Sequence, residues 1–150
     1  MSDQDTVATL NDLIETSNDG AYGFRQCAEH AGAAELRTLL RQRADDCRRA
    51  AKELQAQVEQ LGGEPDRGGS ATGALHRGWV SVRSALSGSS DEAMLAECER
   101  GEDTALARYR EAMQQPLPPA VKAIVERQLQ GVKRNHDQIR NLRDRFKAAA

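Results

Sequence analysis

Apolar residues recur every three or four positions along most of this chain, the spacing that places them on one face of an α-helix. In the first thirty residues this apolar face consists of Val7, Leu10, Ile14, Ala21, Phe24, Ala28 and Ala31. We therefore predict a first helix from about Asp5 to Ala31, ended by Gly32. A second stripe, beginning at Leu40, predicts a second helix from about Ala34 to Leu61.

The pattern resumes after a single breaker segment, GGEPDRGGS, at residues 62–70. A shorter amphipathic stretch follows and predicts a short helix over about 71–86. The Ser89-x-x-Glu92 signature then predicts a capped third long helix from about Asp91 to Gln115. Pro118 and Pro119 predict the start of a fourth long helix, which continues to about Lys147.

The lengths of the connections predict the topology. Only a few residues join the first helix to the second and the third to the fourth, so each pair forms an antiparallel hairpin. The long connection between the hairpins can travel the length of a helix, which is the crossover of ferritin-like bundles. The alternative is a simple up-and-down bundle with the short helix lying across one end. We expect an all-α, ferritin-like four-helix bundle that forms one domain over residues 1–150.

Composition narrows the function classes. Hydrophobic residues make up 39% of the 150 residues and aromatic residues 3%, so Leu, Val, Ile and Ala must build the core. A net charge of −2 gives no reason to expect nucleic acid as a partner. No apolar run is long enough for a membrane span and no signal peptide is visible, so we expect a cytoplasmic protein. We therefore expect the three cysteines to be buried, reduced thiols.

Polar residues interrupt the apolar faces at one level of the predicted bundle. Glu102 falls in the middle of the apolar face of the third helix, and Gln128 and Asn135 fall in that of the fourth. In the crossover topology, Arg43 of the second helix lies near the same height. We predict that Glu102, Gln128, Asn135 and Arg43 form a polar layer in the core.

A buried carboxylate costs several kcal/mol unless it is paired or binds a metal, so three alternatives arise for Glu102. Arg43, Gln128 or Asn135 could satisfy it in a structural network that fixes helix register. Glu102 could bind a metal ion together with other side chains, the candidates being His136, Glu99 and Asp46. The third helix could also rotate and bring Glu102 to the solvent edge of the seam.

Several blocks of the chain resemble a bacterial family of ferritin-like proteins described as a domain of unknown function. They are LNDLIETSNDGAYGF, LGGEP, ALHRGWVSVRSALSG, AECERGEDTALARYREAM and VERQLQGVKRNHDQIRNLRD. The resemblance covers nearly the whole chain and implies the crossover bundle. It implies no particular activity.

Ferritin-like di-iron proteins take a Glu from each of two helices and a Glu-x-x-His pair from each of the others. This chain has no such pair: Glu126 is followed three residues later by Leu129, and Lys133 stands three residues before His136. The di-iron pattern is therefore incomplete. We predict no catalytic residue and no organic cofactor, with iron or another divalent metal as the alternative.

Two functions follow from these observations. The first is a non-catalytic bundle that self-associates, as a dimer, and has a stress-related or partner-binding role. Its expected contact surface, if only partly buried, is the face of the short helix that carries Leu75, Trp79 and Val82. The alternative is a degenerate metal-binding or redox protein with a partial carboxylate and histidine site in the core.

Overall fold

The computed structural model describes residues 2–66, 79 and 90–149. Within these residues the chain forms four helices: α1 (Asp3–His30), α2 (Ala34–Gln60), α3 (Asp91–Met113) and α4 (Pro119–Ala149). Each lies within about two residues of its predicted bounds, and the described part of the chain contains no strand. The short helix predicted over 71–86 lies outside the described residues, together with Leu75, Val82 and Ser89. No described helix is both long and apolar enough to cross a membrane.

Local hydrogen bonds set the helix starts. Ser2 caps α1, because its hydroxyl accepts from the Asp5 amide and the Asp5 carboxylate accepts from the Ser2 amide. This reciprocal capping box explains why α1 begins two residues before the predicted Asp5. In α3 the capping side chain is Ser90 and not the predicted Ser89, and its hydroxyl accepts from the Ala93 amide at 3.2 Å.

The turn that precedes α2 is held by a residue of another helix. The N-cap residue of α2 is Ala33, and no side chain caps the amides of the first turn. The carboxylate of Asp91, the first residue of α3, accepts instead from the Gly32 amide at 2.8 Å and from the Ala33 amide at 3.0 Å. One carboxylate thereby joins the start of α3 to the turn between α1 and α2.

The connection between the hairpins begins at one end of the bundle and finishes at the other. At its beginning, the Asn11 side chain donates to the Glu64 carbonyl at 3.0 Å and accepts from the Asp66 amide at 2.8 Å. Its end is held by Asp91 beside Gly32, beyond the far terminus of α1. The crossover topology is therefore confirmed, and the up-and-down alternative is wrong.

Two apolar clusters fill the ends of the bundle. One contains Phe24, Leu36, Leu40, Met94, Leu95 and Ile139. The other contains Leu10, Ile14, Leu54, Val58, Tyr109 and Val125. Each cluster draws residues from all four helices, and the polar residues predicted in the core lie between the two.

Trp79 belongs to the core, so it does not meet the condition of partial burial on which its prediction as part of a contact surface depended. Its side chain is 2% exposed, and its ring meets Phe24 edge to face at 5.1 Å between centroids. Two glycines make room for it. A Cβ atom placed on Gly23 would lie 2.2 Å from the indole ring, and one on Gly101 would lie 2.4 Å from it. The indole therefore packs directly against the backbones of α1 and α3.

Candidate functional site

A cavity of about 820 Å³ lies at mid-height of the bundle. All four helices and Trp79 line it, and the sparse contact between α2 and α4 leaves it open on that side. Glu102, Gln128, Asn135 and Arg43 all lie on its wall. The four residues predicted to share a polar layer thus surround one space instead of packing tightly together.

Glu102 is buried, with 4% of its surface exposed. Burial raises the pKa of its carboxyl from the usual value near 4.5 to about 8, because the charged form loses its hydration. The nearby Arg43 guanidinium lowers this pKa and the Asp103 carboxylate raises it, both to a smaller extent than burial. The alternative that places Glu102 at the solvent edge of the seam is therefore wrong.

Arg43 lies on α2 at the same level as Glu102. Its Nη1 donates to the Asp46 carboxylate at 2.9 Å and its Nη2 to the Gln138 side-chain oxygen at 3.2 Å. Its Nε is buried without a hydrogen-bond acceptor among the described residues. Within the same part of the chain, no hydrogen bond joins Arg43 to Glu102, so their interaction is electrostatic attraction without direct contact.

A chain of hydrogen bonds crosses the core below Glu102. The Tyr109 hydroxyl lies 3.3 Å from the Ser17 hydroxyl and donates to the Gln128 side-chain oxygen at 2.7 Å. The Gln128 side-chain nitrogen then donates to the Glu53 carboxylate at 2.7 Å. The sequence placed Gln128 in this layer but missed Tyr109, although the position of Tyr109 in the apolar face of α3 was a usable signal. Burial raises the pKa of the Tyr109 hydroxyl well above its usual range.

A second group of polar side chains lies where α3 packs against α4. Glu99, Asp103 and His136 each offer a metal-ligating atom, and the three atoms lie within 4.8 Å of one another. His136 Nε2 is 2.6 Å from an Asp103 carboxylate oxygen, and its Nδ1 is 3.3 Å from the Asp137 carboxylate. The structure thus unites two of the predicted metal ligands, Glu99 and His136.

The other two predicted metal ligands lie elsewhere. Glu102 lines the cavity, as does Asp46, whose carboxylate pairs with Arg43 and Arg49. The third member of the observed group is Asp103, which was not predicted from the sequence. Its spacing of four residues from Glu99 places both carboxylates on one face of α3, which was the available signal.

The central cavity does not fit the di-iron centre that the fold suggests. Such a centre needs histidines beside its carboxylates, yet among the described residues no histidine lines the cavity. His136 faces Asp103, and His30 is exposed near the end of α1. Arg43 and the Tyr109–Gln128 hydrogen bond line the cavity instead.

Comparisons with known proteins agree with this architecture. The structure is similar to that of a mutant of Dps1 from Mycobacterium smegmatis, with a TM-score of 0.76 and 13% sequence identity over 93% of this chain and 95% of that chain. At this identity the similarity shows the fold alone, and it confirms the ferritin-like bundle. No curated protein matches the sequence significantly. Residues 5–115 match the family described as "Domain of unknown function (DUF2383)", and the chain belongs to that family.

Proposed function

We propose that this protein is a non-catalytic, metal-binding bundle that holds a single divalent transition-metal ion on Glu99, Asp103 and His136. The observation that carries the proposal is the convergence of one imidazole and two carboxylates from two helices within 4.8 Å. The proposed site lies between α3 and α4, outside the central cavity. It replaces the predicted core site of Glu102, His136, Glu99 and Asp46.

The donor set suits a first-row transition metal. Imidazole nitrogen and carboxylate oxygen together are typical ligands of zinc, iron, nickel and manganese. Protein sites for these metals commonly hold the second ring nitrogen of a ligating histidine with a carboxylate, which fixes the ring orientation. Asp137 lies at 3.3 Å from His136 Nδ1 and can serve in this way, leaving Nε2 to face the metal.

Present interactions of the ligands compete with a metal ion. Glu99 forms an ion pair with Arg143 at 2.7 Å, and Asp103 already binds His136 Nε2. A metal has to displace both interactions, so we expect reversible binding of moderate affinity. Access is open, because the side chain of Asp103 is 60% exposed.

Titration of the chelator-treated protein with Co²⁺ tests the proposal, since ligand-field absorption reports on imidazole and carboxylate coordination. His136→Ala should weaken binding at least about tenfold, as expected for loss of a metal ligand. Arg143→Gln should strengthen binding, because it frees the Glu99 carboxylate. His30→Ala is the matched control, since it removes an exposed imidazole far from the site. Absence of saturable Co²⁺ binding, or equal affinity in His136→Ala, would refute the site.

Self-association as a dimer, with a stress-related or partner-binding role, remains a second proposal. Trp79 is buried and therefore does not contribute to the surface first expected to mediate it, while Leu75 and Val82 lie outside the described residues. Sedimentation velocity of the chelator-treated and Co²⁺-loaded protein tests self-association, and a strict monomer in both states would exclude it. A cytoplasmic location is also proposed, supported by three cysteines that are all free.

A further inference from the structure

The central cavity has the size of a ligand site. Its volume of about 820 Å³ falls within the range of roughly 300–1,000 Å³ that is usual for pockets that bind small molecules. A well-packed four-helix core of this length leaves few voids larger than a water molecule. We therefore expect the large space at the level of the buried polar groups to be a binding site for a ligand.

One wall of the cavity is apolar and aromatic. Phe24 and Trp79 both lie on it, with their rings in edge-to-face contact, and Val132 of α4 and Ala105 of α3 also line the space. Phe24 and Trp79 are almost fully buried, at 1% and 2% exposure. An aliphatic or aromatic body would be favoured against this wall by the burial of apolar surface.

The mouth of the cavity is basic. Among the described lining residues, every one that is exposed is a cation: Arg49, Lys52, Arg127 and Arg134. They come from α2 and α4, the two helices between which the cavity opens. Exposed charges of one sign at the mouth of a cleft raise the local concentration of ligands of the opposite sign.

Positive charge also extends inward from the mouth. Arg43 and Arg49 share a single carboxylate, that of Asp46, so this group of three carries a surplus positive charge. Arg43 is the inner member, with 15% of its side chain exposed, and its buried Nε–H has no acceptor among the described residues. An anionic oxygen at this point would satisfy the donor and balance the charge.

We infer that the cavity binds a small amphipathic organic acid, whose carboxylate meets Arg43 and whose apolar body packs against Phe24 and Trp79. Four acidic residues line the wall, namely Asp19, Asp46, Glu53 and Glu102. Asp46 is already paired with Arg43 and Arg49, and Asp19 also has an interaction partner. Glu53 is already paired with Arg127 and Gln128. Glu102 forms no hydrogen bond with Arg43 among the described residues, so it leaves the Arg43 Nε–H available.

This site is separate from the proposed metal site. None of Glu99, Asp103 and His136 lines the cavity. Ligand binding in the presence of a chelator therefore tests the cavity alone, and the Co²⁺ titration tests the metal site alone.

The protein contains its own reporter, because Trp79 is the one tryptophan of the chain and lines the cavity. We would titrate the chelator-treated full chain with octanoate, octanol and octylammonium, which share an alkyl chain and differ in charge. Octanoate should produce a saturable change in tryptophan fluorescence and bind at least about tenfold more tightly than either of the others. Equal binding of octanol would overturn the assignment of an acid, and no saturable signal would overturn the site.

Two variants locate the binding site. Arg43→Gln should weaken octanoate binding at least about tenfold, whereas Arg41→Gln, an exposed arginine on the same helix, should leave it unchanged. Gly131→Leu should also weaken binding by filling the cavity. A Cβ at Gly131 meets only the end of the Arg134 side chain, at 3.8 Å, so the fold should tolerate this change even if Arg43→Gln unfolds the protein. Unchanged octanoate affinity in Gly131→Leu would refute the inference.

Discussion

The Tyr109 hydroxyl donates a 2.7 Å hydrogen bond to the side-chain oxygen of Gln128, and both side chains are buried. This bond joins the middle of α3 to the middle of α4. It orients the amide so that its nitrogen donates to Glu53 on α2. The Tyr109 hydroxyl therefore orients a hydrogen-bond network that joins α3, α4 and α2.

Tyr109→Phe should lower the free energy of unfolding by about 1–3 kcal/mol, because it leaves the buried Gln128 oxygen without its donor. Urea denaturation followed by circular dichroism measures the effect. Tyr22→Phe, at a partly buried position outside the network, is the matched control and should change the stability less. Equal stability of the two variants would show that the hydrogen bond contributes nothing net.

Stability should fall as pH rises from about 5 to 8, because of Glu102. Its carboxyl has a pKa of about 8 when folded, against a usual value near 4.5. In this interval the folded state holds a proton that the unfolded state has released, so higher pH favours unfolding. One pKa unit corresponds to about 1.4 kcal/mol, so the effect should amount to a few kcal/mol.

Glu102→Gln should remove most of this pH dependence, since an amide does not titrate. Glu111→Gln, an exposed glutamate on the same helix, should retain it. Urea denaturation at pH 5 and pH 8, with chelator present, gives the comparison. A Glu102→Gln variant with the same pH slope as the unmodified protein would contradict the assignment to Glu102.

Alanine should have opposite effects at two helical glycines. Gly101→Ala brings a Cβ to 2.4 Å from the Trp79 ring, and such overpacking typically costs about 1–3 kcal/mol or more. In Gly131→Ala the new Cβ meets only the end of the Arg134 side chain, at 3.8 Å, so the change should stabilise the protein by roughly 0.5–1 kcal/mol through helix propensity. Thermal denaturation measures both, and a Gly101→Ala protein of unchanged stability would mean that the indole can move aside.

Asp91→Ala should destabilise the protein by about 1 kcal/mol, because two backbone hydrogen bonds to a carboxylate are lost. The loss arises in the turn between α1 and α2, where the Gly32 and Ala33 amides lose their acceptor. Glu92→Ala removes an acidic residue from the same first turn of α3 and serves as the control. If the two variants are equally stable in urea denaturation, the connection between α3 and this turn is not significant.

Local patterns predicted most of the fold. Around Leu10, Leu54 and Ile139, apolar residues recur every three or four positions and therefore lie on one face of a helix. The sequence thus predicts both the helices and the side of each helix that faces the core. The full burial of Trp79 was not predicted because its environment depends on Gly23 and Gly101, which are distant in the sequence and gave no periodic signal. Asp103 was missed for a similar reason, since only the packing of α3 on α4 brings it to His136.

The two attachments of the crossover limit how short this connection can be. Asn11 holds its beginning and Asp91 holds its end beside Gly32, which lies 21 residues further along than Asn11. At 1.5 Å per helical residue, these anchors are about 30 Å apart. An extended chain covers that distance in roughly ten residues, fewer than separate Asp66 from Asp91. Shortened versions of this connection should therefore preserve the topology, provided that they still deliver an indole to the space between Gly23 and Gly101.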